Sequence, residues 1–143
     1  MSGNNSTSWL RAARLWLMGM TVWVDSWQMQ CCGKPFHLGP QVAWTLSAAD
    51  SGWMDTMLGM HAQQTVDAAE HHGGVPEETI PTRGTVTHIV AVHCRYAPRA
   101  SSGSRTVYPV AGSAVLTDIE SADGWTADRG DERFVGYLVQ LEL

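Results

Sequence analysis

Residues 20–46 read MTVWVDSWQMQCCGKPFHLGPQVAWTL. The first half places Trp23, Asp25, Trp27 and Met29 on one side of an extended chain and Val22, Val24, Ser26 and Gln28 on the other. Its β-branched and aromatic content favours a strand over Met20–Gln30. Gly33 and Pro35 break that run. A second strand is predicted over Gln41–Ser47, with Val42, Trp44 and Leu46 on one face. The stretch is therefore expected to be a β-hairpin turning through Cys31-Cys32-Gly33-Lys34-Pro35. In that register Cys31 shares the face of Trp27 and Met29, so it is expected to be the buried thiol and Cys32 the exposed one. Trp44, in phase with two aliphatic neighbours, is expected in the core.

Working outward, Ala48–Gly52 reads as a turn. Trp53, Met54, Met57, Leu58, Met60 and Val66 have a loose helical spacing, interrupted by Gly59. This predicts either a helix over about Asp55–Glu70 or a long loop. Arg83–Tyr96 alternates cleanly and reads as a third strand. Ala97–Arg105 reads as a hairpin loop, Thr106–Ile119 as a fourth strand, Ser121–Glu132 as a polar loop and Phe134–Leu143 as a fifth strand. The pattern predicts a mainly β fold: a small antiparallel five-stranded barrel, SH3-like or OB-like, with one helical or loop insertion. The insertion falls between strands two and three, whereas an OB barrel usually carries its helix between three and four. Residues 1–19 read as an N-terminal extension outside the pattern, and residues 20–143 as a single small barrel domain.

The 143 residues suffice for one domain with a core, and 44% hydrophobic with 16% charged residues is a globular composition. A formal net charge of −5 argues against nucleic acid as the partner, since phosphate binding calls for a basic surface. Near the N-terminus the short apolar run around Arg11 and Arg14 falls below the roughly 20 apolar residues of a membrane span. Three cysteines, two of them adjacent, suit a reducing cytoplasm better than a disulfide framework. Adjacent cysteines are disfavoured as partners, so the expected pairing options reduce to one bond with Cys94.

The string Trp27-Gln28-Met29-Gln30-Cys31-Cys32-Gly33-Lys34-Pro35-Phe36, followed by Gly39-x-x-Val42-x-Trp44, resembles a family of small uncharacterised actinobacterial proteins. The resemblance continues through His72-Gly73-Gly74 and Gly84-Thr85-Val86 and covers Met20–Leu143. It implies a domain of unknown function and supplies no activity.

Four kinds of chemistry can be weighed from the residues. A zinc site is the first, with Cys31, Cys32, His71, His72 and Cys94 as ligands drawn from adjacent pairs. No C-x-x-C or H-x-x-x-H spacing supports it, and buried cysteines pack as small hydrophobes. The second is a Cys31 or Cys32 nucleophile with His71 or His72 as base and Asp25 or Glu70 as orienter. The third is base stacking on Trp23, Trp27, Trp44 and Tyr96, with Arg83, Arg95, Arg99 and Arg105 on phosphates. The fourth is a pH response at His71-His72. For each, a structural role is the commoner use of such residues.

The sequence therefore favours an uncharacterised binding or interaction module without its own catalysis. Its contact residues are expected among Trp23, Trp27, Cys32, His37 and His72, and its partner is a protein or a small molecule. The alternative is a small metal- or cysteine-dependent enzyme with its site around Cys31/Cys32 and His71/His72.

Overall fold

The computed structural model of the chain describes residues 19–59, 66–70, 80–98 and 106–143. In chain order the elements are β1 (Gly19–Asp25), α1 (Ser26–Cys32), β2 (Phe36–His37), β3 (Gln41–Trp44), β4 (Leu46–Ser47), α2 (Ser51–Leu58), β5 (Ala68–Glu70), β6 (Thr82–Pro98), β7 (Val107–Pro109), β8 (Val115–Ile119), β9 (Ser121–Ala122) and β10 (Glu132–Glu142). No helix among the described residues is long and apolar enough to cross a membrane.

The fold is mainly β and barrel-like. Its main sheet runs β3-β6-β10-β1-β5-β4. Only Thr45 separates β3 from β4 in the chain, so the sheet comes back to where it began. β6, 17 residues long, is the spine of this sheet. One edge pairs with β10 from Thr85 to Arg95. The other edge pairs in turn with β3, β8 and β7. Of the five expected strands the third and fifth stand whole as β6 and β10, the second is divided into β3 and β4 and the fourth into β7 and β8, and β2, β5 and β9 are additional. Among the described residues the strand pairings are antiparallel except β1 with β5, which is parallel. A parallel neighbour requires a long crossover, and the chain between β1 and β5 supplies it.

Alternation along the strands builds two apolar layers. Val22, Val24, Ile89, Ala91, Tyr137, Val139 and Leu141 point into the barrel, with Phe36 and Phe134 beside them. Trp23, Val90, Val92, Cys94 and Leu138 point outward and are covered by Met54, Met57 and Leu58 of α2. Both faces of the central strands are therefore buried, at about 1.5–3 kcal/mol for each large aliphatic side chain. Inside the barrel the aromatics touch in series. Phe36 meets Trp44 edge-on at 5.0 Å and Tyr137 at 6.0 Å, and Phe134 lies 4.9 Å from Tyr137. Trp44 is half-buried rather than fully enclosed, because its strand is at the seam of the barrel.

The expected hairpin of the first two strands does not form, because β1 pairs with β10 and β5 while β3 pairs with β6, and α1 and α2 also differ from the sequence expectation. The strand predicted over Met20–Gln30 stops at Asp25, whose carboxylate accepts the backbone N–H of Trp27 at 3.1 Å and caps α1. On helical periodicity only Met29 of α1 is buried, and Cys31 is as exposed as Cys32. The buried-thiol expectation for Cys31 fails for that reason. The helix predicted over Asp55–Glu70 is instead α2, capped by Asp50 through the N–H of Trp53 at 3.0 Å and ended at Gly59, where φ is +61°. After it, Ala68–Glu70 is a strand. The loop expected over Ala97–Arg105 falls mostly outside the described residues.

Candidate functional site

α1, β2, β9 and the segment after β9 form a cap over one end of the barrel. Asp25 starts α1 where β1 leaves the sheet. Gly33 ends it by donating its N–H to the carbonyls of Gln28 and Met29, at 3.1 and 3.2 Å. Pro35 then turns the chain into β2, where Phe36 and His37 pair with Ala122 and Ser121 of β9. Phe36 and Ala122 point into the barrel and close it, while His37 points to solvent.

Gly124 fastens this cap. Its carbonyl accepts Gln30 Nε2 at 2.9 Å, and its N–H donates to the Tyr137 hydroxyl at 3.0 Å. That hydroxyl also shares a 2.8 Å hydrogen bond with Thr126 Oγ1. A Cβ at position 124 would stand 2.7 Å from the Met29 Cβ, and φ there is +86°. Only glycine allows both the approach and the angle. The next residue, Trp125, has its N–H held by the Asp123 carboxylate at 2.8 Å. Trp125 is 67% exposed, and Trp27 on α1 is 62% exposed.

Cys31 and Cys32 close the helix as a disulfide between adjacent residues. The expectation that adjacent cysteines would not pair is therefore corrected, as is the pairing with Cys94. Cys94 is a free thiol, fully buried beneath α2, and burial pushes its pKa up. It sits in the outer apolar layer, apart from the cap. Among the described residues no three His, Cys, Asp or Glu side chains are grouped as metal ligands. Of the residues expected at a site, Trp27, Cys31, Cys32 and His37 are carried by the α1 and β2 segments of the cap. Trp23 does not, being buried under α2 with its indole against Gly136. His71 and His72 lie outside the described residues.

A second group of polar side chains lies on the outer face of the same strands. Trp23 Nε1 donates to Asp25 Oδ2 at 3.5 Å. Burial raises the Asp25 pKa, opposed by its hydrogen bonds from Trp27 and Trp23. The Tyr96 phenol is raised by burial and then by Cys94 and Asp25, while Arg133 opposes the shift. The Arg133 guanidinium lies 5.3 Å from the Tyr96 ring centre. This group lies near the ends of the central strands β1, β6 and β10: Asp25 is engaged as a helix cap, and the arginine is stacked. The aromatic platform considered from sequence is divided between layers, with Trp23 in the outer one, Trp44 at the barrel seam and Trp27 on the cap.

His93 and Glu70 are buried polar groups. His93 Nε2 donates to the Ala127 carbonyl at 2.9 Å, and the ring lies 5.9 Å from Phe134. Through that bond it ties the segment after Trp125 to β6. Burial raises the Glu70 carboxyl to about 7. A cleft of about 390 Å³ opens between α2 and β5, lined by Ala49, Ser51, Met54, Asp55, Val66 and Asp67. Asp67 is occupied there in accepting the N–H of Thr21 at 2.8 Å.

Trp125 is the cap residue that sequence reasoning missed. Its signal was a large aromatic in an otherwise polar loop, next to Gly124. Comparison with curated proteins and with solved structures finds no match. A family's sequence profile does match, over residues 18–143, and the chain belongs to that family of unknown function, DUF6578.

Proposed function

We propose that this barrel is a binding module without catalysis of its own, and that it holds a protein partner on the cap. The observation that carries this reading is the pair Trp27 and Trp125, each more than half exposed on segments that pack against one another. A tryptophan ring buries about 150–250 Å² when covered, worth on the order of 4 kcal/mol before the costs of association. Aromatic rings that project from a surface fit pockets on another protein, whereas small ligands call for a concavity. The negative charges of Asp123 and Asp128, exposed residues within three positions of Trp125 in the chain, favour a partner with basic groups over a phosphate backbone. His37 and Cys32 complete the rim. A cytoplasmic setting belongs to the same reading.

Site-specific photo-crosslinking tests it. A photoreactive amino acid at position 27 or 125, in cells that make the protein, should trap one protein species. The same residue at position 80 or 143, where Ile80 and Leu143 are also exposed, should not. Equal labelling from all four positions, or none from 27 and 125, would remove the reading.

A further inference from the structure

We infer that Cys31 and Cys32 form a thiol–disulfide exchange site for low-molecular-weight thiols and disulfides, and that its redox state sets the position of Trp125. The inference rests on the cap reading only for what this movement would control.

Access comes first. Both cysteines are exposed at the end of α1, while Cys94 is sealed beneath α2. Exchange requires an incoming thiolate to reach a sulfur, so only the adjacent pair can react. The thiolate RS⁻ attacks one sulfur and the Cys31–Cys32 bond breaks. The second cysteine leaves as a thiolate and takes a proton from solvent. A second RS⁻ attacks the outer sulfur of the mixed disulfide, releasing RSSR and leaving a second protein thiol. Two electrons pass from two small thiols to the protein, and RSSR reverses the process.

Coupling to the cap follows from position. Successive residues of an α-helix project about 100° apart, so neighbouring side chains do not face each other. The bond between residues 31 and 32 therefore holds together two side chains that the helix alone would point apart, on the last turn of α1, and its reduction frees them. That turn is held by Gly33 N–H on the carbonyls of Gln28 and Met29. Met29 and Gln30 are also the residues that seat Gly124. A change in the last turn therefore acts on the residue preceding Trp125.

The full chain tests this directly. After equilibration with oxidised glutathione, thiol titration in denaturant should return one thiol, that of Cys94, and after dithiothreitol all three. Intact mass should be lower by about 2 Da in the oxidised form, with no glutathione attached. The amide signals of Gly124 and Trp125 should move on reduction, and the double variant C31S/C32S should show no response to either reagent. Three thiols in the oxidised sample, or a stable glutathione adduct, would overturn the exchange site. A disulfide that forms while those amides stay in place would overturn the coupling. Neither measurement involves a partner, so failure here is separate from failure of the crosslinking test.

Discussion

Inside the barrel, Phe36, Phe134 and Tyr137 lie ring against ring, and the one phenol among them has two hydrogen-bond partners. On the cap, a few residues away, Trp27 and Trp125 stand mostly in solvent. The two regions share a wall: Met29, Phe36 and Ala122 face the interior from the very segments that carry the exposed residues. Burial at one side of these segments fixes the backbone, and so leaves the other side free to carry side chains with no part in stability. Interior substitutions should therefore unfold the protein, and cap substitutions should alter only what it touches.

The largest effect is expected from Leu141→Ala, which opens a cavity in a fully buried position of β10. It should lower stability by about 2–5 kcal/mol in urea unfolding. A loss below 1 kcal/mol would mean that the interior is loosely packed and the contrast with the cap is false.

Next is the pH dependence from Glu70, which is buried in β5 and whose carboxyl is raised to about 7. The folded protein holds this proton more tightly than the unfolded chain does. The stabilising contribution is therefore complete below the ordinary glutamate value of 4.5 and is lost as pH rises through about 7. Thermal midpoints should fall over that window, and Glu70→Gln should flatten the profile. An unchanged slope in the variant would assign the pH dependence to another group.

Tyr137→Phe probes the wall itself. It keeps the ring but leaves the Gly124 N–H without its acceptor, at a cost of about 1–3 kcal/mol. It should also raise amide exchange at Gly124 and Trp125 while leaving β1 and β10 protected. Uniform loss of protection would show that the cap and the barrel open as one unit. The smallest effect is expected from Trp27→Ala, within about 0.5 kcal/mol of the parent. A larger loss would move Trp27 into the core and remove half of the proposed surface.

Much of the barrel was legible because its strands alternate. Val90, Val92 and Cys94 of β6 share a layer as their alternation predicts, whereas Val86, expected with them, faces the interior because the register against β10 shifts between Gln140 and Leu141. The helix α1 was not legible in the same way. Trp27 and Met29 continue the period of Trp23 and Asp25, so seven residues of helix pass for strand. The contrary signal was present in Asp25-x-x-Gln28, the spacing of a helix-capping box. β5 was hidden for a different reason: Ala68-Ala69-Glu70 has no strand propensity and is held by its neighbours on either side. The cap escaped because a site made of Trp27, Cys31, Cys32 and Trp125 joins segments about 95 residues apart, which the β2–β9 pairing and the seat of Gly124 on Met29 and Gln30 bring together.

The pairing of β1 with β10 has a consequence for how the chain is made. Asp25 lies beside Gly136, and Gly19 beside Glu142. At ribosomal rates of about 5–20 residues per second, β1 waits on the order of ten seconds for the strand that completes it. During that interval the edge of β1 that takes β10 stays unpaired, and Val22 and Val24 have no completed barrel interior to face. The emerging chain therefore depends on whatever shields an apolar strand at the tunnel exit, and a stall before β10 would release a product that cannot close its sheet.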